Sequence, residues 1–99
     1  MEHMAELLTD EEISDALNKL PYWRRDGDAL TRTAELAGFP QAMEAVNRVA
    51  ELAESVNHHP DIDIRWRTVT FRLSTHSAGG ITAKDVSLAE QIDETIDAL

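Results

Sequence analysis

Half of the chain's four histidines stand side by side in Asn57-His58-His59-Pro60, and the proline that follows disfavours any continuation of a helix through them. Neighbouring residues on a helix do not share a face, so packing on one apolar stripe does not explain the pair. Glu54 lies one helical turn before His58, on the same face if the helix persists that far. Beyond a second alternating run comes Ser74-Thr75-His76, then Gly79-Gly80, and Asp85 a few residues later. An imidazole with its ordinary pKa of about 6.5 can hold or release a proton at neutral pH. Two or three in one pocket can serve opposite ends of a proton transfer, the pairing that an elimination of water requires.

Each residue also has a structural explanation. His58 suits the negative end of a helix dipole, Asp85 suits a helix N-terminus, and Glu54 suits a solvated face. Trp66 suits a core or an interface. A metal site is the weaker chemical alternative: adjacent helical side chains diverge by about 100°, the i, i+4 histidine pair is absent, and no cysteine is present to supply a thiolate. Ser74, Thr75 and Ser77 flank His76 without the glycine pattern of a nucleophile elbow. Gly79-Gly80 is a turn signal, not a phosphate loop. Acid–base chemistry by imidazole is what remains.

The elements that must position these groups follow from the patterning. Thr9-Asp10-Glu11-Glu12 has capping-box form, and Ile13, Ala16, Leu17 and Leu20 recur at helical spacing until Pro21. The run from Tyr22 to Arg25, the turn Asp26-Gly27-Asp28 and the alternation from Leu30 to Leu36 predict a hairpin. Pro40 opens a helix whose apolar side is Met43, Val46, Val49, Ala50, Ala53 and Val56, ending near Asn57. Ile62, Ile64 and Trp66, a turn near Arg67-Thr68, then Val69, Phe71 and Leu73 predict a second hairpin. Thr82 caps a last helix with Asp85 at its third position and a stripe of Val86, Ala89, Ile92, Ile96 and Leu99. The order α-β-β-α-β-β-α predicts an α+β two-layer sandwich, an antiparallel sheet of two hairpins covered on one face by helices.

At 99 residues the chain is expected to be one domain over positions 1–99. Residues 1–8 are expected to be flexible; Met1-Glu2-His3 reads as a cloning scar before Met4, and His3 is assigned no function. A formal net charge of -10, from 19 acids and 9 bases, argues against nucleic acid as a direct partner. The start has neither a basic n-region nor an apolar h-region, and no apolar run approaches membrane-spanning length. A cytoplasmic protein without a membrane partner is expected.

Taken together, Glu54-x-x-x-His58-His59-Pro60, Trp66 and Leu73-Ser74-Thr75-His76-x-x-Gly79-Gly80-Ile81-Thr82-x-x-Asp85 resemble the signature of the pterin-4a-carbinolamine dehydratases. Gly38-Phe39 and the long helix look like the family too. Arg67 departs from it, standing where relatives often have asparagine in the hairpin turn. The resemblance implies a 4a-hydroxytetrahydropterin substrate, the carbinolamine left by an aromatic amino acid hydroxylase, dehydrated to quinonoid dihydropterin for reuse. It implies no metal or organic cofactor. It places the pterin among His58, His59 and His76, with Asn57, Pro60, Ser74 and Thr75 beside it. His59 and His76 are then the expected proton-transfer pair, with His58 orienting the pterin or sharing the acid role. Glu54 would hold an imidazole in its useful tautomer, and Asp85 would do so for His76 or only cap its helix. A homo-oligomer, dimer or tetramer, is implied. The competing role is that of a protein-interaction, dimerisation or assembly cofactor on the same fold.

Overall fold

The computed structural model describes residues 6–99. The helices are α1 (Asp10–Leu17), α2 (Phe39–Val56) and α3 (Ala83–Asp97); the strands are β1 (Arg24–Asp26), β2 (Ala29–Glu35), β3 (Asp61–Arg65) and β4 (Thr68–Leu73). Thr9 caps α1 and Thr82 caps α3, each in a complete capping box with the acidic residue three positions on. The strands form one antiparallel sheet in the order β1-β2-β4-β3, so the two hairpins join along β2 and β4. The expected α+β order is the observed one.

Register explains which face the helices cover. Leu30 stands opposite Leu73, Ala34 opposite Val69, Ile62 opposite Phe71 and Ile64 opposite Val69. Period-two alternation sends these side chains to one face, where Leu30, Leu73, Val69 and Phe71 are fully buried. The opposite face carries Thr33, Thr70 and Arg72; the threonine hydroxyls meet at 3.0 Å and Arg72 pairs with Asp26 at 2.6 Å. Arg32 lies on the buried face, opposite Phe71, and its guanidinium pairs with Asp93 of α3. The Trp23 indole donates to the same carboxylate at 2.8 Å.

Several details differ from the sequence-based expectations. The buried side of α2 is Ala42, Ala45, Val49 and Ala53, while Ala50 and Val56 are exposed. Alanines allow a helix to pack closely on its neighbours, which a count of larger apolar residues does not register. In α3 the buried residues are Asp85, Leu88, Ala89 and Ile92, with Val86, Ile96 and Leu99 at the margin. The expected flexible run also ends earlier: Leu7 bridges Thr82, and the Leu8 N–H donates to the Ile81 carbonyl at 2.9 Å. Residues 1–5, including the scar reading and His3, lie outside the described residues.

The second hairpin turns one residue earlier than expected. Arg65 pairs with Thr68, leaving Trp66 and Arg67 as a two-residue loop with Trp66 at φ 53° and 70% exposed. Such loops need a positive φ that matches strand twist. A bulky residue there is strained, partly offset by the Arg67 guanidinium stacked 4.8 Å from the indole. Trp66→Asn is therefore expected to stabilise the fold by about 1 kcal/mol, read as a higher midpoint in thermal unfolding.

Candidate active site

The end of α2 sets the site. Asn57 is left-handed, at φ 50° and ψ 45°. Its N–H donates to the Glu54 carbonyl at 3.3 Å, and that of His58 donates to the Ala53 carbonyl at 3.1 Å. These two bonds are a Schellman closure, with asparagine in the place most often held by glycine. The two histidines therefore follow the helix and do not lie on it. Asn57→Ala is expected to cost about 1 kcal/mol because alanine tolerates the left-handed region poorly, whereas Asn57→Gly should be close to neutral; urea unfolding reads both.

With the helix ended, the imidazoles part. His58 turns inward, its Nε2 2.6 Å from Asp85 Oδ1, with side chains 11% and 0% exposed. His59 turns outward to Glu54 Oε2 at 2.5 Å, and there the side chains are 55% and 79% exposed. The imidazole that Glu54 meets is that of His59, because Asn57 breaks the helical periodicity that would have put His58 on its face. One expectation is corrected here: Asp85 pairs with His58 and not with His76, because the first turn of α3 packs behind the end of α2; it also caps its helix, accepting from the Thr82 N–H at 2.9 Å.

His76 begins a single 3₁₀ turn, His76–Ala78, separated from β4 by Ser74 and Thr75. Thr75 and Gly80 bridge across its base, the Thr75 N–H donating to Gly80 O at 2.8 Å, and Gly79 supplies a positive φ of 77°. The loop is thus short and closed, which holds the exposed His76 ring at the rim. Among the described residues that ring makes no side-chain hydrogen bond.

A cleft of about 440 Å³ is lined by all three imidazoles with Asn57, Pro60, Ser74 and Thr75. Asp61, Ser77 and Lys84 complete its wall. Lys84 was not foreseen; its place beside Asp85 in the first turn of α3 was the available signal. Glu54 and Asp85 stand behind the histidines and do not line the cleft. Two of the expected pterin contacts spend their hydroxyls on the protein: Ser74 Oγ donates to the Asp28 carbonyl at 2.9 Å, and Thr75 Oγ1 donates to Asp85 Oδ2 at 2.8 Å. The arrangement offers proton donors and acceptors from two chain segments to one polar cleft, the requirement for acid–base catalysis on a small ligand.

Comparison with known proteins adds to this geometry. A family profile described as "Pterin 4 alpha carbinolamine dehydratase" matches residues 6–95. A protein of Nocardia farcinica is 63% identical over 89 residues, covering 90% of this chain and 94% of its own length. One of Mycobacteroides abscessus is 62% identical over 90 residues, covering 91% and 96%. Both are named "putative pterin-4-alpha-carbinolamine dehydratase". Among solved structures, a transcriptional coactivator/pterin dehydratase from Brucella melitensis superimposes with a TM-score of 0.87 at 30% identity, over 90% of this chain and 97% of that one. A pterin dehydratase-like protein identified as a RuBisCO assembly factor in the alpha-carboxysome shares the fold, with a TM-score of 0.65 at 21% identity over 75% and 88% of the two chains.

Proposed function

Because this chain belongs to the pterin-4a-carbinolamine dehydratase family, we propose that it removes water from a 4a-hydroxytetrahydropterin by histidine acid–base catalysis. The observation that carries this reading is the convergence of His58, His59 and His76 on one cleft, two of them backed by carboxylates. In the reaction one imidazolium gives its proton to the 4a-hydroxyl, which leaves as water. A neutral imidazole takes the N5 proton, and the electrons of the N–H bond form the C4a=N5 bond of quinonoid dihydropterin. One proton is supplied and one recovered, so the protein ends with its total proton count unchanged and no metal or organic cofactor is called for.

His59 and His76 are the transfer pair in this reading, since both are exposed on the cleft. His58 orients the pterin, with Asn57, Pro60, Ser74 and Thr75 shaping the walls around it. The protein acts in the cytoplasm, as a homo-oligomer, on the pterin of an aromatic amino acid hydroxylase; none of the described helices is long and apolar enough to cross a membrane. The second reading, a protein-interaction or assembly factor, is favoured by exposed Phe39, Val56, Ile64 and Trp66. A coupled assay separates the two. With a tetrahydropterin-dependent hydroxylase, limiting pterin and a reductant, the protein should raise sustained hydroxylation by returning cofactor. An unchanged rate and unchanged cofactor recovery would remove the recycling role.

A further inference from the structure

We propose that the buried hydroxyl pair Thr75–Thr82 positions His58, holding it as the Nε2–H tautomer so that Nδ1 is the nitrogen left for substrate. The consequence for turnover rests on the dehydratase reading above; the tautomer itself does not. Three groups converge on the Asp85 carboxylate, which is 0% exposed. His58 Nε2 lies 2.6 Å from Oδ1, while Oδ2 accepts from Thr75 Oγ1 at 2.8 Å and from the Thr82 N–H at 2.9 Å. The two hydroxyls lie 2.8 Å apart, and Thr82 Oγ1 also accepts from the Lys84 N–H at 3.2 Å.

Counting protons gives this network a direction. Each hydroxyl has one proton. Thr75 gives its own to Asp85, so the bond between the threonines is filled by the Thr82 proton, and Thr82 keeps a lone pair for Lys84. Oδ2 is then an acceptor twice over, and an ionised carboxylate has no proton to give from Oδ1 either, so its bond to His58 is made only if Nε2 carries hydrogen. Thr75 and Thr82 are 3% and 0% exposed, so water has little access to stand in for either hydroxyl. The helix cap of α3 and the orientation of an active-site imidazole are one unit. Thr75, placed by the family resemblance among the pterin contacts, is on this geometry a positioning residue that acts through Asp85 and His58. Thr82 supports it from behind.

Ring ¹⁵N spectra of the histidines and steady-state kinetics test this together. In the wild type, neutral His58 should carry its proton on Nε2, in slow exchange with solvent. Thr75→Val should mix the tautomers, speed that exchange at least tenfold, and lower kcat for carbinolamine dehydration about tenfold with KM little changed, the usual scale for an outer-shell hydrogen-bond partner. Thr75→Ser should recover most of both. Thr82→Val should move the same signals in the same direction by less. A proton on Nδ1 in the wild type overturns the proposal without recourse to any variant. So does a folded Thr75→Val whose His58 signals are unchanged, or one that raises KM at constant kcat, the mark of a direct substrate contact. An inactive wild type that keeps the Nε2–H signature would count against the dehydratase reading and leave the tautomer assignment standing.

Discussion

Replacing Asp93 by alanine is expected to destabilise the fold by about 3–5 kcal/mol, the usual cost of stranding one half of a buried ion pair. The Arg32 side chain is 8% exposed and that of Asp93 16% exposed, so solvent screens the pair little. Removing the carboxylate leaves a guanidinium on the apolar face of the sheet and deprives the Trp23 indole of its acceptor at 2.8 Å. Arg32 Nε already lacks a hydrogen-bond partner among the described residues, so the loss would leave the guanidinium further under-satisfied. Urea unfolding measures the loss. The double change Arg32→Met with Asp93→Leu should regain most of it, because no charge is then left buried. A cost below about 1 kcal/mol for Asp93→Ala would mean that the pair behaves as a surface one. The pair also concerns the site, since Asp93 and Asp85 ride on the same helix and Asp85 holds His58.

His76→Ala is expected to lower kcat for carbinolamine dehydration by ~10²-fold or more, with the affinity for a stable dihydropterin changed only a few-fold. The ring is exposed, stands on a short closed loop and makes no side-chain hydrogen bond among the described residues, so its loss should leave the fold intact. His59→Ala should behave similarly, because its pair with Glu54 is largely solvated and contributes little to stability. A pterin-binding protein without turnover would show the opposite pattern, with affinity falling in step with function. Stopped-flow absorbance gives kcat, and fluorescence titration of the dihydropterin gives the affinity.

What could be read from the sequence was local. Proline at 60 and the capping residues Thr9 and Thr82 marked element ends by their own chemistry, and alternation over 30–36, interrupted at Arg32, and over 69–73 marked the buried face of a sheet. The residue types at the site were visible for the same reason. Which carboxylate meets which imidazole was not. That depends on one backbone angle, φ 50° at Asn57, which converts an expected helical neighbour of Glu54 into an inward-facing partner of Asp85. The Arg32–Asp93 pair joins positions far apart in the chain, and nothing in either local pattern points to the other. The alanine face of α2 was hidden because small residues carry a weak hydropathy signal while allowing the closest packing.

Proton transfer to a pterin carbinolamine can be read from the first-order decay of 4a-hydroxytetrahydropterin, generated by a hydroxylase and followed by absorbance with and without the folded protein. Decay should quicken in proportion to protein concentration and return close to the buffer rate with the His59→Ala, His76→Ala double variant. Decay at the buffer rate with well-folded wild type would contradict it, and the exposed apolar side chains at Phe39, Ile64 and Trp66 would then become the place to look for a partner.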